Sequence, residues 1–391
     1  MRVLIAPDSF KGGLGAGAAA AALARGWLSV RPGDRVTRLP LADGGEGTLE
    51  VLAATVPGAR WHRARVTGPG GAPVTARWLE LPAEKPGPTG RGSGTRTAVV
   101  ELARASGLPL LGRPDPMGAQ TTGLGELLGR ALDAGAARIL AGLGGSAATD
   151  GGTGALAALG ARFLGAAGQP LPPGGGALAG LARADLRGLR PPPSGGVTCL
   201  TDVTAPLLGP RGAAAVYGPQ KGAGPTQVAR LEAGLARLAG ILGGDPAAPG
   251  AGAAGGTGYG LATAWGAVLA PGAAELSRLA GLDRALAEAD LVITGEGRYD
   301  ATSLTGKTCG TVLAAAAAAG VPVVLVAGQV GGGLAGERPA PDGPPGGAPA
   351  PAAVIALADL ADSTAAALAS PRRWLRQAAR QVARMPPRGM A

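Results

Sequence analysis

The chain of 391 residues contains no asparagine and a single histidine, His62, which is followed by basic residues and lies far from any glycine-rich loop. A histidine-centred triad or a histidine-rich metal site is therefore nearly excluded. Any general base falls to a carboxylate. Any divalent cation falls to Asp, Glu, hydroxyls or carbonyls, a donor set that suits Mg²⁺. The two cysteines, Cys199 and Cys309, give neither a metal-binding spacing nor a disulfide framework. Aromatic residues make up 3% and no zinc-finger spacing occurs, so the net charge of +10 does not read as a nucleic-acid footprint. The most regular basic series, Arg372, Arg376, Arg380 and Arg384, recurs once per helical turn opposite Trp374, Leu375, Ala378 and Val382, as on a helix with one solvated face. No apolar run spans a bilayer, since the alanines at 314–319 are too few. The N-terminus enters a strand pattern at once and Asp8 interrupts it, so no signal peptide is expected. These absences predict a cytoplasmic protein without nucleic-acid or membrane partners, and they leave its oligomeric state open.

Hydrophobic residues reach 46%, and the length favours two domains. Glycine (72) and proline (35) are abundant, but many glycines sit in short loops between apolar runs such as Val3–Ala6, Leu291–Thr294 and Val321–Ala327. Short apolar runs alternate with Ala- and Leu-rich helical segments, which predicts an α/β fold with a largely parallel sheet. The pattern gives a strand at 2–6 and a helix at 16–29, then a strand near 36–41 and a helix at 48–55. Near the other end it gives a strand at 290–294, a loop at 295–306, a helix at 307–319 and a strand at 321–327. Ligands of such sheets bind beyond the carboxyl ends of the strands, which singles out the loops at 7–15, 42–47 and 295–306. Residues 82–94 and 331–351 have no apolar period and read as flexible surface insertions.

The run from Gly142 to Gly152 follows a strand-like stretch at 137–141 and precedes a helix-like stretch at 155–164. Glycines between a strand and a helix let backbone N–H groups approach an anion, and a helix N-terminus adds favourable polarity. Gly142-x-Gly144-x-x-Ala147 formally fits a dinucleotide fingerprint, but no Asp or Glu occurs between Asp150 and Asp185, where the ribose-binding acid belongs. Gly306-Lys307-Thr308 resembles the end of a Walker A loop, yet Ala301 stands where its first glycine is needed. Protein-kinase signatures are absent.

Carboxylates cluster in glycine-flanked loops: Asp8, Asp43 with Glu46, Asp150, Asp202, and Glu296 with Asp300. One Asp-Gly pair would mark only a turn. Several at predicted strand ends, with Lys11 and Lys307 nearby, point to a phosphate-binding site of another glycine-rich architecture. Only four lysines exist in an arginine-rich chain, and Lys11, Lys221 and Lys307 each adjoin glycine in motif-like stretches.

Five motifs occur in order: Ala-Pro-Asp8-Ser9-Phe-Lys11-Gly, Ala-Asp43-Gly-Gly-Glu46-Gly-Thr, Gly-Leu-Gly144-Gly145-Ser146-Ala-x-x-Asp150-Gly-Gly, the stretch from Gly-Pro-Arg211 to Gln220-Lys221-Gly, and Thr-Gly295-Glu296-Gly-Arg298-x-Asp300. Together they resemble the bacterial glycerate kinases, over residues 1 to about 330. Ala148 and Ala205 depart from the threonine and asparagine usual in that family. The resemblance implies ATP-dependent phosphorylation of D-glycerate with Mg²⁺, in a cleft between two domains. One is a Rossmann-like α/β domain built from both chain ends (1–64 and 280–391), the other an inserted α/β domain (65–279) carrying the Gly-rich loop. The expected nucleotide-binding residues are Gly144, Gly145, Ser146 and Asp150. Ser9, Arg298 and Asp300 are expected to bind substrate, and Asp43, Glu46 and Glu296 the metal. Asp8, Lys11, Asp202 and Lys307 are expected to be catalytic. The alternatives are a kinase of another small hydroxy or sugar acid, or a catalytically impaired nucleotide-binding homologue. The acceptor hydroxyl, 2 or 3, is open at this point.

Overall fold

The structure is a computed structural model and describes residues 1–10, 13–83, 96–304, 307–331 and 349–385. Its strands are β1 (Arg2–Ile5), β2 (Arg35–Arg38), β3 (Arg60–Thr67), β4 (Pro73–Leu81), β5 (Thr97–Glu101), β6 (Arg138–Gly142), β7 (Arg162–Leu164), β8 (Arg183–Asp185), β9 (Val197–Leu200), β10 (Val268–Ala270), β11 (Leu291–Tyr299), β12 (Val323–Val330) and β13 (Ala353–Ala356). The chain divides into two compact α/β units. One comprises Met1–Asp43, Glu50–Val56 and Pro271–Ala391, the other Gly44–Leu49 and Pro57–Ala270.

The first unit holds a parallel five-stranded sheet in the order β13-β12-β11-β1-β2. Val3, Leu4 and Ile5 are all buried because both faces of the sheet are covered, as parallel sheets require. Val3 and Ile5 pack on one side with Leu23 and Trp27 of the helix Ala16–Leu28 and with Leu375 and Val382 of the helix Pro371–Arg384. Leu4 and Val292 pack on the other side with Val312 and Leu313 of the helix Thr308–Ala318. The arginines at 372, 376, 380 and 384 all lie on the exposed face of their helix.

The second unit holds a six-stranded sheet, β10-β9-β6-β5-β4-β3, parallel from β10 to β5 and antiparallel from β5 to β3. Its core includes Val100, Leu127, Ile139, Leu235 and Tyr259. His62 stacks on Trp78 with ring centroids 4.0 Å apart and bonds Glu80, a structural use of the single histidine.

Two sequence expectations are corrected. The loop expected at 295–306 begins later: β11 continues to Tyr299 because Gly295, Glu296, Arg298 and Tyr299 pair in register with Val326, Ala327, Gln329 and Val330. The helix expected at 155–164 ends at Ala158, and 162–164 is strand β7. Gly160, at φ +110°, closes the helix with Ala161 N–H returning to Leu156 O. The chain then pairs with β8, so a sheet partner outweighs helical propensity. The insertions expected at 82–94 and 331–351 lie almost wholly outside the described residues, as does Lys11. Among the described residues, no helix is long and apolar enough to cross a membrane.

Candidate active site

In the first unit, the carboxyl ends of β1, β11 and β12 open onto a cavity of about 290 Å³. Asp8, Ser9, Asp43, Glu296, Arg298, Asp300 and Lys307 line it, with Phe10, Gln329, Leu357, Thr364, Leu368 and Pro371. The pairing of β1 with β11 continues past the strand: Asp8 N–H donates to Gly295 O at 2.8 Å, which sets Asp8 beside the Glu296 segment. Asp8 is buried, with 8% of the residue exposed. Its Oδ2 accepts from Thr308 Oγ1 at 2.7 Å and its Oδ1 from the Ser9 N–H.

Glu296 and Arg298, two apart on β11, share a face of the strand. Arg298 Nε donates to Asp300 Oδ2 at 3.1 Å. Asp300 also accepts from Thr302 N–H and Oγ1, and Lys307 Nζ donates to the same Thr302 hydroxyl at 2.8 Å. The Thr302 hydroxyl bond, aided by Lys307 and Arg298, holds the Asp300 carboxyl below its ordinary range. Lys307 occupies the N-cap position of the helix Thr308–Ala318, so the positive end of that helix adjoins the cavity. Cys309 is buried under this site, and burial first, then the Glu296 charge, pushes its thiol up, so it is inert.

Glu46, Gly144, Gly145, Ser146, Asp150 and Asp202 belong to the second unit. Gly142 and Leu200 are register partners at the ends of β6 and β9, so the Gly-rich loop and the Asp202 segment leave neighbouring strands side by side. The loop rests against a second glycine turn: a Cβ on Gly142 would meet Gly44 O at 2.4 Å. That turn is tied to the sheet by Glu101, 2% exposed, which accepts from Leu49 N–H at 2.9 Å and from Arg104 Nε at 2.8 Å. Glu46 is exposed in the turn.

Gly144 and Gly145 are exposed, and Gly145 has φ +75°. Among the described residues, no hydrogen bond engages the amides of Gly144, Gly145 and Ser146, whereas those of Leu143, Ala147 and Ala148 are all bonded. Successive unbonded amides beside a left-handed residue are the kind of backbone from which anion-binding concavities are built. The helix after the loop does not add to these amides as the sequence suggested. It has six residues, Thr153–Ala158, and its first amides are taken by the protein itself. Asp150, fully buried, accepts from Gly152 and Gly154 N–H and from the N–H and hydroxyl of Thr121, and Thr121 Oγ1 accepts from Ala155 N–H. Burial raises the Asp150 carboxyl above its ordinary range, opposed by these bonds.

Sequence reasoning missed Thr308, Thr121 and Glu101, which orient the carboxylate, the loop and the glycine turn. Nothing local marks them, because their partners are 300, 29 and 52 residues away. Among the described residues, no three His, Cys, Asp or Glu side chains group as ligands for one metal ion.

This α/β arrangement has the relatives of a phosphotransferase. A Bacillus subtilis glycerate kinase is 44% identical over 340 residues, covering 84% of this chain and 85% of that protein. The glycerate 2-kinase of Escherichia coli K12 is 39% identical over 338 residues, covering 84% and 86%. A Salmonella typhimurium LT2 protein assigned as glycerate kinase 2, known from its crystal structure, superposes with a TM-score of 0.77 at 36% identity, covering 98% of this chain and 97% of that one. The chain is thus a kinase, an enzyme that transfers a phosphoryl group. The sequence profile of the glycerate kinase family matches residues 3–386, and the chain belongs to that family.

Proposed function

We propose that this enzyme transfers the γ-phosphoryl group of ATP to D-glycerate, with the acceptor held in the cavity of the first unit. The observation that carries this reading is the pairing of an oriented carboxylate, Asp8, with two cations, Arg298 and Lys307, around one small cavity. Phosphoryl transfer asks the protein mainly for positioning and charge neutralisation. Asp8 accepts the proton of the attacking hydroxyl. Arg298 spends only Nε on Asp300, and its terminal amino groups bind the glycerate carboxylate. Asp300 holds the guanidinium in place, and Ser9 bonds a substrate hydroxyl. Lys307 and Lys11 neutralise charge on the transferred group.

The open amides of Gly144, Gly145 and Ser146 receive the nucleotide phosphates, and Asp150 acts on them indirectly, through the loop. Magnesium binding needs only one or two carboxylates beside phosphate oxygens and water. Asp43 and Glu296 on the cavity wall meet that need without a three-residue cluster. Magnesium there would neutralise phosphate charge. Glu46 and Asp202 remain further candidates for it by their loop positions. The proposal also includes a cytoplasmic location, the correspondence of the two units to the two domains of the resemblance, and a cleft between those domains as the place of transfer. The name of the 39% identical Escherichia coli glycerate 2-kinase favours the 2-phosphate as product.

The test is to incubate the purified chain with ATP, Mg²⁺ and D-glycerate and to follow ADP, then identify the product by ³¹P NMR. Absence of ADP above background removes the glycerate reading. A 3-phosphate overturns the assignment of the 2-hydroxyl alone.

A further inference from the structure

We propose that Lys221 is a positioning residue of the nucleotide-phosphate site, its buried ammonium fixing the backbone behind the open amides of Gly144, Gly145 and Ser146. The proposal rests on the reading that this loop receives the phosphates of ATP.

Lys221 is 3% exposed. It ends the 3₁₀ turn Pro219–Lys221, and Gly222, at φ +90°, turns the chain away behind it. Its Nζ donates to Ala148 O and, at 3.3 Å, to Thr149 Oγ1. The Ala148 N–H donates to Ser146 Oγ at 3.2 Å, so the residue two places after the open amides is gripped on both sides. The Ala148 side chain is packed with Ala119 and Ala147. The main chain at 148 therefore does the bonding, whichever small side chain stands there. Asp150, held by Thr121 and the following helix, fixes the other end of the same segment.

An apolar side chain of similar length would fill this space without desolvating a charge. The ammonium adds donors for two acceptors on one loop and a positive potential behind an anion-binding surface. Burial pushes Lys221 down to about 8 and the Asp150 charge opposes that shift, so the cation is kept against its own desolvation. Lys221 makes no part of the cavity in the first unit, which separates this role from acceptor binding.

The test compares Lys221→Met with Gly145→Val in the full-length enzyme, reading KM for ATP, KM for glycerate, kcat and the Kd of ATP by titration calorimetry. Lys221→Met should raise the KM and Kd for ATP by about tenfold or more and leave the glycerate KM within about twofold. A purely structural role would lower Tm and the active fraction, hence kcat, with both KM values intact, and that result overturns the proposal. If Gly145→Val leaves ATP affinity unchanged, the reading of the loop itself fails. If Gly145→Val weakens ATP about tenfold and Lys221→Met does not, the loop reading stands and the role of Lys221 falls. Should Lys221→Met not fold, Thr149→Val decides. A rise of about threefold in the ATP KM at constant glycerate KM supports the proposal, and an unchanged ATP KM overturns it.

Discussion

Thr308 Oγ1 donates to Asp8 Oδ2 across 2.7 Å, joining residues 300 positions apart. The bond links the end of β1 to the first turn of the helix Thr308–Ala318, and both partners are buried. With the Ser9 N–H on its other oxygen, the Asp8 carboxylate is held in one orientation at the wall of the cavity. A positioned carboxylate is what proton abstraction from a hydroxyl requires in a chain whose single histidine is committed elsewhere.

Replacing Asp8 with Asn should lower kcat by roughly 10²–10⁴-fold, the usual worth of a general base, with circular dichroism unchanged. Thr308→Val removes one orienting donor and should cost about tenfold in kcat while both KM values hold. Steady-state kinetics on both variants check this. Near-normal kcat in Asp8→Asn assigns the base elsewhere, with Asp202 the next residue to replace.

Arg298 tests the acceptor side. A hydrogen bond to a charged group is worth about 1.5–3 kcal/mol, so Arg298→Ala should raise the glycerate KM by roughly 10–100-fold and leave the ATP KM alone. Arg298→Lys should recover only part of the loss, because an ammonium cannot make the paired bond to a carboxylate. Equal changes in both KM values would contradict carboxylate binding by Arg298.

The α/β class and the first and last strand–helix units were legible in the sequence because they depend on local periodicity: helices expected at 16–29 and 48–55 are found at Ala16–Leu28 and Thr48–Thr55. The charged part of the cavity lining stood out in the sequence as glycine-flanked carboxylates with Arg298 and Lys307, whereas Gln329, Leu357 and Thr364 carried no such mark. What local pattern could not supply was pairing over distance. Glu296 and Arg298 read as loop because of Gly295 and Gly297, yet β12 captures them as strand. Asp150 read as a ligand-facing carboxylate because it ends a glycine loop, yet Thr121, from a segment 29 residues earlier, turns it inward. Lys221 stood out as one of four lysines, but its use emerges only where the fold brings it to Ala148.

Gly142 sits so close to the glycine turn that any side chain must displace main chain, not a flexible neighbour. Gly142→Ala should therefore destabilise the protein by about 1–3 kcal/mol and weaken ATP binding, since the loop and the turn would part. Urea unfolding with calorimetric titration of ATP checks both. A variant with unchanged midpoint and unchanged affinity would show that the close approach is not needed.

Alkaline pH isolates the buried ammonium. Lys221 falls from its ordinary 10.5 to about 8 in the folded chain. Between those values the unfolded chain binds the extra proton, so stability rises with pH across the window, and the cost of burying the cation is fully present below about 8. At about 1.36 kcal/mol per pH unit the whole effect is on the order of 3 kcal/mol. The buried thiols work against it: Cys199, pushed up to about 12 by burial, and Cys309 hold protons in the folded chain that the unfolded chain releases above 9.0. Stability from them is present below that value and declines as pH rises further. Asp150, with its carboxyl raised by burial, has the same sign: its contribution is present below 3.8 and is lost as pH rises through its folded value. The thiols are common to wild type and Lys221→Met, so their contribution cancels in the difference between the two. The Tm of Lys221→Met minus that of wild type should shrink, or turn from positive towards negative, as pH rises from 8 to about 10. A difference that stays constant across that range would mean that Lys221 does not titrate there.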